Sequence, residues 1–240
     1  MTVAFQVKES LSDMLESDLA AAFPTTVAVC LSGVDLLLPT HPAEAELMTF
    51  ASDLRRRHFA AGRDCARRAL AQIGAPAGPL LRRGRAPAWP EGVTGSIAHT
   101  EGAAWCAAAY LGEVSALGID VERVRPTPPD LRRRMAGQDE RRAIAAAELR
   151  LGDAAAIVHW SAKEALFKCL SQAGAEAPDF PTIQVDLGGA PGPQGALTYC
   201  LAGDHRPAAS VELCQGFWRL FGDLVFVGCA IVPAARSATA

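Results

Sequence analysis

The order of apolar and polar positions along the chain predicts alternating helices and strands. Apolar residues at positions 59, 66, 69, 70 and 73 follow a helical period, and Gly74 with Pro76 marks the end of that helix. This predicts a helix over residues 54–73, and the same reasoning predicts another over residues 153–173. Two further helices are predicted over residues 8–22 and 130–149, and Pro42 marks an additional helix start. Strands are predicted over residues 25–31, 96–99, 103–111, 116–124, 181–187, 196–201, 208–214 and 224–232.

The order of these elements predicts the fold class. Strands follow helices in both parts of the chain, which indicates an α+β protein with two similar halves, each with a helix packed on a small antiparallel sheet. We place the N-terminal half at residues 1–115 and the C-terminal half at residues 116–240. Gly112 and Glu113 predict a hairpin turn between the strands on either side of this boundary. The last eight residues are expected to fray.

Composition narrows the class of protein. The 240 residues are 50% hydrophobic, which is enough for a sizeable buried core. The sequence shows neither a secretory leader pattern nor the roughly 20 consecutive apolar residues that span a bilayer, so we expect a cytoplasmic protein without a membrane partner. The seven cysteines are scattered and form no Cys-x-x-Cys pair. They favour reduced core residues over a zinc site or a disulfide framework.

Charge is distributed unevenly along the chain. The net charge is −3, yet residues 54–85 contain nine arginines and one acidic residue, Asp64. Nucleic acid is one class of partner for such a segment. However, the chain as a whole is mildly acidic, and among these arginines Phe59 is the only interspersed aromatic residue of the kind that stacks on bases. A small polyphosphate ligand fits at least as well. A solvated helix face in an arginine-rich chain remains an open alternative.

Three carboxylates suggest a metal site. Asp120 and Glu122 are two residues apart in a predicted strand, so their side chains point to the same face. Glu164 lies in the predicted helix over residues 153–173. Three adjacent carboxylates repel one another unless protons or a cation neutralise them, and Mg²⁺ prefers such oxygen ligands. The alternative is an acidic strand end together with an ordinary surface glutamate.

Lysines and one histidine add candidate chemistry. The chain has only three lysines, and Lys163 and Lys168 both flank Glu164. A compact ammonium group suits a phosphate oxygen, although Lys168 and Glu164 also have the spacing of a surface ion pair. His99 ends a predicted strand next to a polar turn, a position where a lone histidine is more often structural.

The ordered motifs together resemble a known family. They are Arg-x7-Arg in a helix, Arg-x-Pro-x-Trp-Pro at residues 85–90, Gly-Ser-Ile-x-His at 95–99, Gly-Ile-Asp-Val-Glu at 118–122 and Trp-x-x-Lys-Glu-Ala-x-x-Lys at 160–168. This set resembles the 4′-phosphopantetheinyl transferases, and more narrowly the Sfp-type branch that is similar to the enterobactin synthetase component D enzymes. The motifs cover roughly residues 40–170. One departure is Ala98, where family members commonly have a hydroxyl residue.

The resemblance implies a fold and an activity. The expected fold is the pseudo-twofold α+β fold of these enzymes, and the expected reaction needs Mg²⁺. It transfers the 4′-phosphopantetheine arm of coenzyme A to a serine of an apo acyl or peptidyl carrier protein, with release of adenosine 3′,5′-bisphosphate. Such enzymes activate carriers for siderophore, polyketide or nonribosomal peptide biosynthesis. Since both halves lie in one chain, the resemblance also implies a monomer, with no nucleic acid as partner.

The resemblance also implies roles for individual residues. The metal ligands would be Asp120, Glu122 and Glu164, and the catalytic residues Glu164, Lys168 and Asp120, with Glu164 the leading candidate to accept the serine proton. Lys168 would neutralise the pyrophosphate, with Lys163 nearby. The coenzyme A phosphates would be held by Arg55, Arg63, Arg83, Arg85 and His99. The choice among Arg82, Arg83 and Arg85 is left open.

A carrier surface is expected beside the metal site. Carrier proteins present acidic helices, which favours basic and apolar contacts: Arg123, Arg125, Arg132, Arg133 and Arg134, with Leu131 and Met135. A solvated helix face is the alternative for each arginine. Two other functions stay open, a Mg²⁺-dependent phosphodiesterase or nuclease and a non-catalytic nucleotide-binding module.

Overall fold

The computed structural model describes residues 2–34, 41–84, 86–188, 192–202, 211 and 213–233. Its helices are α1 (Thr2–Ala21), α2 (Pro42–Ala45), α3 (Asp53–Gln72), α4 (Pro129–Met135), α5 (Gln138–Leu151) and α6 (Ala154–Gln172), with 3-10 turns at Glu46–Met48 and Phe180–Thr182. Its strands are β1 (Ala28–Ser32), β2 (Arg82–Arg83), β3 (Ala86–Pro87), β4 (Val93–Thr100), β5 (Ala103–Tyr110), β6 (Ala116–Arg123), β7 (Ile183–Asp186), β8 (Gln194–Leu201), β9 (Cys214–Phe221) and β10 (Leu224–Ile231).

The strands form two main antiparallel sheets. The first has the order β1-β5-β4 and the second the order β6-β10-β9-β8-β7, while β2 and β3 form a separate short hairpin. Helix α3 packs on β1 and β5, and helix α6 packs on β6 and β10. Each main sheet therefore carries one long helix, which confirms the predicted α+β fold class.

The alternation of side chains along β6 separates core from site. Leu117, Ile119 and Val121 enter an apolar cluster shared with the first sheet and α1. The intervening residues face α6, since a side chain at Gly118 would collide with the carbonyl oxygen of Ala165. Asp120 lies on that same face. The close approach of α6 at Gly118 thus brings the helix directly over the predicted metal-binding strand.

The predicted hairpin at Gly112 and Glu113 is wrong. Strand β5 pairs with β1 and β4, whereas β6 pairs with β10, so the turn carries the chain from one sheet to the other. The sheets meet where β4 lies beside β6, and the backbone N–H of Ile119 donates to Ser96 Oγ at 3.2 Å. This line of contact between β4 and β6 is the seam on which the site lies.

Other elements differ from prediction for local reasons. The helix predicted over residues 130–149 is two helices, because Ala136 has an extended backbone and Gly137 packs close to the carbonyl oxygen of Pro181. The first helix begins at Thr2 rather than at residue 8. Residues 208–210 and 212 of the strand predicted at 208–214 lie outside the described residues, as do residues 234–240 of the expected tail. The strand Cys214–Phe221 was not predicted.

Two expectations from composition have structural counterparts. No helix in the described ranges is long and apolar enough to cross a membrane. The seven cysteines are all free thiols, and six of them are buried, as expected for core residues. Cys200 is exposed, so the prediction is wrong at that position.

Candidate active site

A cavity of about 130 Å³ beside α3 collects cationic residues of the N-terminal half. Its helical contributors lie three, four, seven and eight residues after Arg55, which is the spacing of one helix face. This spacing explains why Arg55 and Arg63, predicted together, reach the same cavity. The lining residues are Arg55, His58, Phe59, Gly62, Arg63, Arg82, Pro87, Ile97 and His99.

Arg63 is held in place from within the core. Its Nε donates to the carbonyl oxygen of Leu80 at 2.9 Å, and its guanidinium lies 4.4 Å from the centre of the Phe59 ring. Burial lowers the pKa of Arg63 to about 10, opposed by the charge of Glu44. Arg63 therefore remains a cation at neutral pH, with its orientation fixed by the protein.

His99 acts as a hydrogen-bonding group. Burial first, and then the neighbouring charges of His58, Arg55 and Lys168, lower its pKa from 6.5 to about 4. The ring is consequently neutral at pH 7, and its Nε2 accepts a hydrogen bond from Arg55 Nη1 at 3.0 Å. The His58 ring lies 4.8 Å away, centre to centre. His99 thus orients Arg55 instead of adding a positive charge.

Asp120 is the common neighbour of the charged groups near α6. Its Oδ1 accepts a hydrogen bond from Lys168 Nζ at 2.8 Å, and the same ammonium donates to the carbonyl oxygen of Ile119 at 2.9 Å. Burial raises the pKa of Glu122 and of Glu164, and the negative charge of Asp120 raises both further. Asp120 therefore acts electrostatically on both Glu122 and Glu164.

The carboxylates fit a hard divalent cation. Asp120 Oδ2 is buried and has no hydrogen-bond partner among the described residues, although a buried carboxylate oxygen normally has one. Lys168 and the more distant Arg125 provide two positive charges against three carboxylates. A Mg²⁺ ion would supply both the missing partner and the missing charge. The described side chains do not bring one oxygen from each of the three within 4.8 Å of the others.

The cationic cavity and the carboxylates adjoin across the seam. Lys168 is close enough to His99 to lower its pKa. In addition, Thr100 Oγ1, next to His99 in β4, lies 3.5 Å from Glu122 Oε2. The arrangement combines anion-binding cations with metal-type ligands, which is what phosphoryl transfer requires.

Family comparisons match both halves of the chain. Residues 43–109 match a model described as the 4′-phosphopantetheinyl transferase N-terminal domain, and residues 116–213 match the 4′-phosphopantetheinyl transferase superfamily. Together the two matches span more than half of the 240 residues. The chain belongs to the 4′-phosphopantetheinyl transferases. The six residues between the two matches, 110–115, contain the last residue of β5 and the connection that crosses from the first sheet to the second.

Individual transferases show the same relationship. 4′-Phosphopantetheinyl transferase Svp of Streptomyces mobaraensis is 41% identical over 134 residues, which cover 53% of this chain and 52% of Svp. Enterobactin synthase component D of Salmonella typhi is 33% identical over 142 residues, covering 57% and 56% of the two chains. The chain thus matches about half the length of these curated relatives. The crystal structure of Thermotoga maritima holo-[acyl-carrier-protein] synthase superposes with a TM-score of 0.36 at 18% identity, over 50% of this chain and 64% of that one, a level too low for comparing the folds.

The arginine-rich loop is assigned differently from the prediction. Arg82 lines the cationic cavity, whereas Arg83 lines another cavity, of about 670 Å³, with Trp89 and Gln172. Neighbouring residues of a strand point to opposite sides, so only one of the two can face the site. Among the described residues Arg82 therefore replaces Arg83, and Arg85 lies outside them. His58 was missed, although its position three residues after Arg55 placed it on the same helix face.

The prediction for Lys163 is wrong. Its ammonium is fully buried and bonded to Glu140 and to the carbonyl oxygens of Met135 (2.6 Å) and Phe180 (2.7 Å). Glu140, also missed from the sequence, accepts from the backbone N–H of Val185 at 3.2 Å and lies 3.2 Å from His159 Nδ1. Lys163 thus ties α6 to α4, α5 and the 3-10 turn at Phe180–Thr182, away from the cationic cavity.

The predicted carrier surface is altered in part. Met135 is fully buried and cannot contact a partner. Arg123 pairs with Asp223, and Arg132 donates to the carbonyl oxygen of Thr127 at 3.0 Å, so both have internal partners. Arg125 has 71% of its side chain exposed and lies 4.0 Å from Glu122 Oε2, which keeps it next to the carboxylates. Two further residues of the predicted surface, Arg133 and Arg134, are also exposed.

Proposed function

We propose that this chain transfers the 4′-phosphopantetheine arm of coenzyme A to a serine hydroxyl of an apo acyl or peptidyl carrier protein. The observation that supports this most directly is the contact between Lys168 and Asp120, at 2.8 Å, beside the cationic cavity. It joins an ammonium group, which suits phosphate oxygens, to a carboxylate whose second oxygen is buried without a hydrogen-bond partner among the described residues. Pairing these groups is typical of sites that transfer phosphoryl groups.

The N-terminal half would bind the nucleotide end of coenzyme A. Arg55, Arg63 and Arg82 converge on one cavity without a carboxylate in its lining. Guanidinium groups bind phosphate oxygens with two parallel hydrogen bonds, so this cavity suits a terminal phosphate. His99 would keep Arg55 oriented through its Nε2.

The carboxylates at the seam would hold Mg²⁺. The residues that would do so are Asp120, Glu122 and Glu164. When bound, the ion would neutralise these carboxylates and withdraw charge from the pyrophosphate of coenzyme A. Lys168 would add its ammonium charge on the same side, held in position by Ile119 and Asp120.

The reaction replaces a phosphoanhydride bond of coenzyme A by a phosphoester bond to serine. The serine oxygen bonds to the phosphorus that carries the pantetheine, and the bond from that phosphorus to the bridging oxygen breaks, which releases adenosine 3′,5′-bisphosphate. Glu164, whose pKa responds to the charge of the neighbouring Asp120, would accept the serine proton, directly or through water. No protein nucleophile is required, because the attacking hydroxyl belongs to the carrier.

The carrier would approach the exposed basic residues beside the carboxylates. Arg125, Arg133 and Arg134 offer positive charge to the acidic helices of a carrier. Since both halves of the site lie in one chain, we further propose that the monomer is active.

A carrier panel tests this proposal. The full chain is incubated with coenzyme A, Mg²⁺ and several apo carriers, and each carrier is weighed by mass spectrometry. We expect a gain of one phosphopantetheine on a carrier serine, lost when a chelator removes the metal. Binding of coenzyme A with no gain on any carrier would contradict the proposal and leave a nucleotide-binding module. Hydrolysis of coenzyme A without carrier modification would instead indicate a phosphodiesterase.

A further inference from the structure

Three cysteines that are far apart in the sequence converge in the core of the C-terminal half. Cys169 comes from α6, Cys214 from β9 and Cys229 from β10. Their sulfur atoms all lie within 4.8 Å of one another, and the Sγ atoms of Cys169 and Cys214 are 3.9 Å apart. The exposed fractions of the three residues are 0%, 3% and 0%. Among the described residues, this is the one group of three or more His, Cys, Asp or Glu with ligand atoms so close together.

The convergence follows from strand register and helix periodicity. Cys229 lies opposite Gly216 in the β9–β10 pair, and Cys214 is two residues from Gly216 on the same strand. Side chains two residues apart share a face, so both thiols point toward the same side of the sheet. Cys169 lies on the buried face of α6 with Leu166 and Ala165, which are three and four residues earlier and thus about one helical turn away.

The thiols of this cysteine cluster hydrogen-bond to one another. Hydrogen bonds from Cys214 and Cys229 lower the pKa of Cys169. The thiol of Cys214 is the hydrogen-bond donor to Cys169. The rest of the lining is apolar core, apart from the hydroxyl of Tyr199, which donates to the carbonyl oxygen of Ala162 at 3.2 Å.

We propose that this cysteine cluster is a three-coordinate site for one Cu(I) ion. Sulfur ligands select soft ions, and Cu(I) accepts three of them. Zinc in a structural site takes four ligands, and the described residues offer no fourth. The cysteines would bind as thiolates, so each coordinating thiol releases its proton, and the ion offsets one of the resulting negative charges.

The N-terminal half contains a natural comparison for this site. Cys30, Cys65 and Cys106 are also fully buried, and all three belong to one apolar cluster against α3. Their sulfur atoms do not lie within 4.8 Å of one another as a set. The two groups thus have the same number of cysteines and similar burial. They differ in that the sulfur atoms come together only in the C-terminal group.

The proposed copper would tie α6 to β9 and β10 beneath the candidate active site. Cys169 directly follows Lys168, and a side chain at Gly118 would come within 2.8 Å of the Cys169 backbone nitrogen. The ion would therefore stabilise the packing of the helix that carries Glu164 and Lys168, without contacting coenzyme A. Because the three thiols are buried, the ion is expected to enter before the sheet and helix have closed.

The test uses the full chain, produced in cells with added copper and purified without oxygen. We expect close to one copper per chain after challenge with a Cu(I) chelator, and three sulfur neighbours by X-ray absorption at the copper edge. Copper-free wild-type protein, zinc retained in place of copper, or a Cys169–Cys214 disulfide in place of metal would overturn the proposal.

Variants separate this site from other thiols. Cys169→Ala and Cys214→Ala should lose the copper, while Cys30→Ala, Cys65→Ala and the exposed Cys200→Ala should keep it. Copper retained by Cys169→Ala would contradict the proposal, and circular dichroism checks folding. If the variants fail to fold, the number of sulfur neighbours that X-ray absorption finds around copper in the wild-type protein tests the proposal. Carrier modification by the copper-free protein should be unchanged, so the copper site and the proposed transferase activity can fail independently.

Discussion

The two long helices that carry the candidate site position their cationic side chains in different ways. In α3, Arg63 is fixed by a side-chain hydrogen bond to the Leu80 carbonyl and by the Phe59 ring. In α6, Lys168 reaches Asp120 because the helix backbone approaches β6 so closely that only glycine fits at position 118. The cationic cavity beside α3 thus depends on individual side-chain contacts. The position of Lys168 depends on the distance between the backbones of α6 and β6. Substitutions should therefore have graded effects around α3 and severe ones around α6.

The largest effect is expected at Asp120. Asp120→Asn keeps the size of the side chain but removes the charge that a metal would need at the buried Oδ2. We expect carrier modification to fall on the order of a thousandfold. Circular dichroism should stay unchanged, and the Kd for coenzyme A measured by calorimetry should change little, because the cationic cavity is intact. A variant that retains about a tenth of the rate or more would remove Asp120 from the reaction.

The next effect tests the backbone distance itself. In Gly118→Ala the added methyl group collides with the carbonyl oxygen of Ala165, so α6 must move away from β6. We expect a loss of about 3 kcal/mol in the free energy of unfolding, measured with urea, together with a lower rate of transfer. Gly112→Ala is the matched control, since an added carbon there meets nothing within 4 Å. Equal stability of the two variants would show that the close approach is not required.

The two lysines of α6 should separate activity from stability. Lys168→Met removes the ammonium beside Asp120, and we expect transfer to fall about a hundredfold. Its loss of stability should be smaller than that of Lys163→Met, because 29% of the Lys168 side chain is exposed whereas the Lys163 side chain is fully buried. Lys163→Met leaves Glu140 buried without its cation, which should cost about 3 kcal/mol of unfolding free energy. Its rate per folded molecule should remain near that of the wild type. The opposite result, a large rate loss in Lys163→Met alone, would reinstate Lys163 at the phosphates.

The sequence predicted what depends on local periodicity. Alternation along a strand placed Asp120 and Glu122 on one face, and the helical period placed Glu164 near Lys168. The same period excludes Lys163, since five residues of helix rotate a side chain about 140° away from Lys168. The scarcity of lysine therefore singled out two residues of which only one faces the site.

Features set by long-range pairing were beyond the sequence. The partner of β6 is β10, more than 100 residues away, and not its neighbour β5. The choice between Arg82 and Arg83 depends on the register of a short hairpin, and the convergence of Cys169, Cys214 and Cys229 depends on the register of β9 with β10. Register of this kind comes from tertiary packing, which no local pattern records.

A smaller effect is expected at the arginine hairpin. Arg82→Met removes one cation from the cavity of Arg55 and Arg63, and we expect the KM for coenzyme A to rise about tenfold with little change in kcat. Arg83→Met is the control, because Arg83 lines a different cavity. Steady-state kinetics with a single carrier distinguishes the two. A larger KM change in Arg83→Met would reverse the assignment.

The last effect concerns the pH dependence of stability. The pKa of His99 is lowered from 6.5 to about 4, mainly by burial, so between these values the unfolded chain binds a proton that the native ring does not. The contribution of His99 to the free energy of unfolding therefore decreases as the pH falls from 6.5 toward 4. Glu122 and Glu164 have raised pKa values and contribute with the opposite sign, so only the difference between wild type and His99→Gln isolates the ring. Between pH 7 and pH 5, urea unfolding should show the wild type losing about 2 kcal/mol more than the variant. Parallel losses in the two proteins would mean that His99 is protonated in the native state and adds a charge to the phosphate cavity, contrary to the orienting role inferred from its contact with Arg55.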